Sequence, residues 1–172
     1  MHEKSIDLLN RAVADELATV HQYMYFHFHC DDQGVDLLSA LFKRTAIQEM
    51  LHIERLADRI LFLKGDVVME AAAKVEPIHD VKAMLEWADS SEQSAIRMYN
   101  QFAVECAANA DSATKKLFED LVMDEERHYG QFDDEMENVK RYGDSYLAQQ
   151  AMERSRAAAA PQPAGPPKAP KP

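Results

Sequence analysis

Glycine and cysteine are both scarce in this chain of 172 residues, with five of the first and two of the second. Few glycines leave few breaks. Ala, Leu, Glu, Met and Lys are plentiful, so helix propensity is high nearly everywhere. Cys30 and Cys106 are too few for a disulfide framework and too isolated for a zinc knuckle, and each reads as a small apolar packing group. No run approaches the roughly 20 apolar residues of a membrane span. The opening "MHEKSIDLLN" has no long apolar segment behind a basic start, so no secretory leader is expected and a cytoplasmic protein is. Positive charge is in deficit as well: 19 Lys and Arg face 30 Asp and Glu, a net of −11. Residues 151–172 hold Arg154, Arg156, Lys168 and Lys171 beside Glu153 alone, which concentrates the acidity in the preceding 150 residues. Such a body repels nucleic acid and attracts cations, although a solvated helical surface accounts for most of the charge.

The length fits one domain with a substantial core. Apolar residues recur at three- and four-residue spacing from about Ile6 to Cys30 and again from Val35 to Leu63, with "DDQGVD" and Gly34 marking a turn between. "KGDVVMEAAAKVEPIHD", containing Gly65 and Pro77, reads as a long connection. A third run covers about Val81 to Ala108, "NADS" breaks it, and a fourth covers about Ala113 to Lys140. Gly143 sets off a short fifth segment, "DSYLAQQAMER". The pattern predicts an all-α protein: two helical hairpins joined by one long crossover, with helices roughly 40 Å long and a short fifth helix. The domain is expected over residues 1–156, and the Pro/Ala-rich stretch 157–172 is expected to be a disordered tail.

The halves repeat. An offset of 76 residues superposes Glu16 on Glu92, Tyr23 on Tyr99, Phe26 on Phe102 and Cys30 on Cys106. The same offset carries Leu41-Phe42 onto Leu117-Phe118, Glu49 onto Glu125, His52 onto His128 and Asp58 onto Asp134. A repeated hairpin implies a pseudo-twofold axis, and a site on that axis would be symmetric.

Within the repeat sits Glu-x-x-His, once as Glu49-Met50-Leu51-His52 and once as Glu125-Glu126-Arg127-His128. Residues three apart on a helix lie only about 60° apart around its axis, so each pair shares a face. The other two helices each bring one carboxylate among apolar neighbours, Glu16 in "VADELATV" and Glu92 in "DSSEQSAI". Thirty-three residues separate Glu16 from Glu49, and Glu92 from Glu125. One Glu-x-x-His is ordinary on a surface helix; two copies, two lone glutamates and equal spacings are not. Four carboxylates and two imidazoles converging inside a bundle are too costly to bury without compensation, and two divalent cations balance the four negative charges. One Glu from each of two helices with Glu-x-x-His from the other two is the ligand pattern of di-iron and di-manganese bundles, with zinc also compatible with the donor set.

These residues carry a resemblance. "DEL" around Glu16, "EMLH" at 49–52, "RILFLKG" at 59–65, "DEERH" at 124–128 and the short fifth helix make the chain, over about residues 3–150, similar to the bacterioferritins. The resemblance implies a ferritin-like four-helix bundle and a ferroxidase with two iron ions per subunit. By it Glu49 and Glu125 bridge the irons, Glu16, Glu92, His52 and His128 are terminal ligands, and Tyr23 is a hydrogen-bonding partner around them, with Tyr99 in a similar part. It also implies a shell of 24 copies built from twofold dimers, storing iron oxidised by O2 or H2O2. By the same resemblance haem is expected to be shared between two subunits, with a ferredoxin-type reductant as the candidate electron source for iron release. Met50 lies about 100° from Glu49 and about 160° from His52 around the helix, facing away from the metals. It packs at an interface or, by the resemblance, ligates haem iron, where a thioether favours a raised potential. His21, one turn from Leu17 and Met24, either lines the haem pocket or packs. Some relatives carry a His and an Asp that guide iron inward; Arg44 and Gln48 stand at those positions here. His27 and His29, near a helix end, are expected as solvated surface residues.

Two other functions use parts of the same pattern. A soluble di-iron oxidase or peroxidase of the rubrerythrin kind would need the six ligands but no storage, and the chain lacks the paired Cys-x-x-Cys motifs of a rubredoxin-like donor. A helical cargo-binding protein working through its tail would leave the Glu and His spacing without a purpose.

Overall fold

The computed structural model describes residues 2–159, with side chains through residue 157. The described residues form five helices: α1 (Glu3–Asp32), α2 (Asp36–Phe62), α3 (Val81–Ala108), α4 (Ser112–Tyr142) and α5 (Asp144–Ala159). α1 packs chiefly on α2 and α3 on α4, so the molecule is two antiparallel hairpins laid together as a ferritin-like bundle, with the long crossover between Phe62 and Val81. No helix among the described residues is long and apolar enough to cross a membrane.

The helix ends follow local chemistry. Asp80 caps α3 by accepting from the Ala83 amide at 2.8 Å, and Asp111 caps α4 by accepting from Thr114 at 3.1 Å. α1 closes with a Schellman turn: Gly34 sits at φ +75° while Val35 N–H reaches Cys30 O at 2.9 Å. α2 closes in the same way one residue earlier than its glycine suggests, with Lys64 at φ +65° and Gly65 N–H on Ile60 O at 3.0 Å. Gly65 serves close packing instead, since a Cβ there would stand 2.8 Å from Ile6 Cγ2. The crossover is pinned to α1, where the Gln22 amide donates to Glu76 O at 3.0 Å and accepts from Glu76 N at 2.7 Å. Ala72 N–H also reaches Ala14 O at 2.8 Å.

α5 packs against the α1–α2 turn. Gln150 accepts from the Leu37 amide at 3.2 Å, and Arg154 pairs with Asp36 at 3.2 Å. The helix continues to Ala159, three residues into the stretch expected as tail, because its alanines extend the run without a breaker. The rest of that stretch, 160–172, lies outside the described residues.

The core is split. One apolar cluster contains Leu8, Leu9, Val13, Leu56, Ile60, Phe102 and Phe118. The other contains Phe26, Leu38, Phe42, Leu85, Ala88 and Phe132. On every helix the gap between the two clusters falls where Glu16, Glu49, His52, Glu92, Glu125 and His128 stand, so a charged layer is sandwiched at mid-height of the bundle.

Candidate metal centre

All six residues of the charged layer are buried, none more than 4 % exposed. Glu49 and His52 project from α2, Glu125 and His128 from α4, Glu16 from α1 and Glu92 from α3. Glu49 and Glu125 stand between the imidazoles. Glu49 Oε2 is 2.8 Å from His52 Nδ1 and its Oε1 is 2.9 Å from His128 Nδ1. Glu125 repeats the division, with Oε1 3.1 Å from His52 Nδ1 and Oε2 3.2 Å from His128 Nδ1. Glu16 Oε1 adds a contact of 3.1 Å on the His52 side, and Glu92 Oε2 one of 3.9 Å on the His128 side. Two overlapping groups result: Glu16, Glu49, His52 and Glu125, and Glu49, Glu92, Glu125 and His128. Within each group the potential ligand atoms lie within 4.8 Å of one another, and Glu49 and Glu125 belong to both.

The electrostatics of the protein alone are those of a crowded, dry site. Burial, and then repulsion from Glu49 and Glu125, pushes Glu16 and Glu92 well above the usual carboxylate range. Burial works against a charged imidazole, yet Glu125 and Glu49 outweigh it and raise His128 to about 9; His52 is raised more strongly by Glu125, Glu16 and Glu49. Burial also opposes ionisation of Glu125, but both imidazoles bring it down to about 2. Even so, Glu49 Oε1 and Oε2 and Glu125 Oε1 accept no hydrogen bond. Buried carboxylate oxygens left without donors are a serious cost. Cations of the size and charge of Fe2+, Mn2+ or Zn2+ suit these carboxylate and imidazole donors, so the residues fit a two-metal centre.

Two tyrosines hold the outer carboxylates. Tyr99 donates its hydroxyl to Glu16 Oε1 at 2.5 Å, and Tyr23 donates to Glu92 Oε1. The pairing crosses between hairpins, so Tyr23 serves the glutamate of α3 and not Glu16 of its own helix. Seven residues along α1, two turns above Glu16, its phenol reaches across the bundle axis instead of down it. Burial and the neighbouring carboxylates push both phenols upward, which keeps them protonated donors.

The remaining candidates fall outside this layer. Met50 is 52 % exposed on the outer face of α2, flanked by the exposed Ile47 and Leu51, and His21 is exposed on α1. His27 and His29 are half-buried, not freely solvated. His27 Nδ1 contacts Ser39 Oγ at 2.9 Å, and the His29 ring packs on Tyr25 and His79, because α2 and the crossover cover that end of α1. Cys30 and Cys106 are free and buried; burial pushes Cys30 up to about 12. Arg44 bonds Gln131, whereas Gln48 touches the site itself, its Oε1 3.0 Å from His128 Nε2. Asp124, unremarked in the sequence, lies 3.4 Å from His52 Nε2. A surface recess of about 270 Å³ between α1 and α3 is lined by Asp15, Trp87, Ser90, Ser91 and Ser94, the chain neighbours of Glu16 and Glu92.

A bundle with one long crossover and a buried carboxylate–imidazole layer defines a ferritin-like protein with a candidate metal centre. The family model of the ferritin-like domain matches residues 6–142. The bacterioferritin of Desulfovibrio desulfuricans is 36 % identical over 145 residues, covering 84 % of this chain and 81 % of that protein. The bacterioferritin of Rhodobacter capsulatus is 32 % identical over 129 residues, covering 73 % and 78 %. The X-ray structure of the Desulfovibrio desulfuricans bacterioferritin, described by its diiron site in different catalytic states, superposes with a TM-score of 0.84 over 86 % of each chain. The chain belongs to the ferritin-like family and, within it, to the bacterioferritins.

Proposed function

We propose that this protein is an iron-storage ferroxidase. It oxidises Fe2+ to Fe3+ with O2 or H2O2 at a di-iron site inside each subunit and deposits the product as mineral in a shell of 24 copies. The observation that carries this reading is the way Glu49 and Glu125 each divide their two oxygens between His52 and His128. Glu49 and Glu125 would bridge the two ions, with Glu16 and His52 completing one position and Glu92 and His128 the other. When bound there, an iron pair supplies one electron from each ion to the oxidant. Four carboxylates offset the four positive charges of two Fe2+, and the imidazoles remain neutral ligands.

The protein's own part is to fix and dry the site. Tyr99 and Tyr23 keep Glu16 and Glu92 aimed inward through hydrogen bonds. Phe118 and Phe132, on either side of the layer, belong to apolar clusters that exclude water. The recess lined by Asp15, Trp87 and the serines of α3 would be the approach for Fe2+, with Asp15 offering a carboxylate. The diiron site named for the Desulfovibrio structure supports the same assignment.

Haem shared between two copies belongs to the same reading. The Met50 thioether stands in an exposed apolar strip with Ile47 and Leu51, which suits an interface, and Met50 with its counterpart in a second copy would hold the haem. His21 is the further candidate for the haem pocket. When bound there, haem would supply one-electron redox chemistry, with a ferredoxin-type protein as the candidate reductant. Stopped-flow oxidation of Fe2+ tests the ligand assignment: Glu49→Ala or Glu125→Ala should lose the fast phase, and an unchanged rate would refute it.

A further inference from the structure

The mid-bundle layer uses two of the seven histidines in the chain. Two others meet at the surface: His29, in the last turn of α1, and His79, at the end of the crossover, with ring centroids 4.5 Å apart. Tyr25, one turn before His29, completes the group. Its ring centroid is 4.3 Å from that of His29, and its hydroxyl is 2.7 Å from His79 Nε2. Gln33 steadies the backbone of His79 by donating to its carbonyl at 3.0 Å. The internal repeat does not call for these rings. The offset of 76 carries Tyr25 and His29 onto Gln101 and Glu105, a polar surface pair one turn apart that bonds at 3.4 Å.

The spacing of the imidazoles has a chemical meaning. A ligand nitrogen sits ~2.0–2.1 Å from Zn2+, which puts the imidazole ring centre roughly 3.2 Å from the ion. Two such rings on one ion, at ligand angles of about 90–110°, have centres ~4.5–5 Å apart, and His29 and His79 stand at that separation. A ligand histidine gives its second N–H to an outer acceptor, which fixes the tautomer and the orientation of the ring. Tyr25 stands in that place for His79: its oxygen takes up Nε2 and leaves the Nδ1 lone pair for the ion. His29 lies at the C-terminal end of α1, where the helix dipole favours a cation. Asp32, one turn after His29, and Asp80, next to His79, add negative charge around the pair. Imidazole donors without a carboxylate bridge favour the later first-row ions over Fe2+.

We propose that His29 and His79 form a separate surface site for a late first-row divalent ion, Zn2+, Ni2+ or Cu2+, with water completing the coordination. Tyr25 is a positioning residue, acting on the ion only through His79. The site stands apart from the carboxylate layer and does not depend on what that layer binds. An ion held there ties the end of the crossover to α1.

Crystals of the full chain soaked with Zn2+ and measured at the zinc absorption edge give the direct test. An anomalous peak should lie ~2.0–2.1 Å from one ring nitrogen of His29 and from Nδ1 of His79. It should vanish in His79→Ala, while zinc in the mid-bundle layer is unaffected. No peak, a peak on one of the two rings alone, or a peak completed by a neighbouring molecule in the crystal means an adventitious ion only, and overturns the proposal. Zinc retention in solution is the independent reading. At micromolar free Zn2+ the unaltered chain should hold about one ion more than either His29→Ala or His79→Ala; equal retention overturns the site. Tyr25→Phe keeps the ring and removes the hydroxyl, so it should weaken zinc binding about tenfold, and unchanged affinity overturns the part given to Tyr25. Both histidine variants should oxidise Fe2+ at the unaltered rate. A slowed rate would tie these residues to the mid-bundle layer and contradict a separate site.

Discussion

Removing metal from this protein and then raising the pH should expose the cost of the charged layer. In the metal-free state His128 is raised to about 9 from an ordinary 6.5, so its stabilising contribution is complete below pH 6.5 and disappears as pH climbs through about 9. His52 is raised in the same direction. Glu16 and Glu92, pushed upward by burial and by Glu49 and Glu125, cost stability wherever they are forced to ionise, so they too favour the lower pH. Bound divalent ions reverse the sign, since they replace these protons and bind more tightly as protons become scarce. Each ion present at 100 times its dissociation constant adds about 2.7 kcal/mol, roughly 5 kcal/mol for two. At about 2–4 °C per kcal/mol for a chain of this size, loading should raise Tm by ~10–20 °C. Scanning calorimetry of the metal-free and Co2+-loaded protein at pH 6.5 and 8.5 reads both effects. The metal-free Tm should fall between those values and the gap to the loaded protein should widen. A gap of a few degrees, or one that narrows with pH, would refute the reasoning.

Two further outcomes follow from particular side chains. Met50→Leu should remove the haem absorption bands that the proposed haem site predicts, while leaving the Fe2+ oxidation rate nearly intact; retained haem would move the ligand to His21 or another residue. Gly65→Ala would force a Cβ to 2.8 Å from Ile6 Cγ2 and should cost ~1–3 kcal/mol in denaturant unfolding, whereas a neutral result would show that the α1 N-terminus yields freely.

The bundle was legible because its four long helices announce themselves by period and its breaks by composition. The run from Val81 to Ala108 coincides with α3, and Gly34 occupies the left-handed turn that ends α1. Other stops carried weaker signals: Lys64 and Ala110 take the left-handed position that glycine would advertise. The convergence of Glu16, Glu49, His52, Glu92, Glu125 and His128 was readable because one offset relates them all, and a common offset survives without any knowledge of helix rotation. Contacts between hairpins were not readable in that way. Whether Tyr23 serves Glu16 or Glu92 depends on the height and rotation of α1 against α3, which no local pattern encodes. The same holds for Asp124 and Gln48, each of which meets a histidine of the other hairpin. His27 and His29 were misjudged because the covering surfaces, α2 and the crossover, are distant in sequence.

Storage is the central claim, and retained iron measures it most directly. Metal-free protein is loaded aerobically with excess Fe2+ and desalted, and the soluble iron held per chain is counted. Retention far above two irons per chain is the predicted result, since only a closed shell can keep mineral in solution. Retention near two would leave the di-iron centre standing, contradict storage, and make the protein a soluble di-iron oxidase.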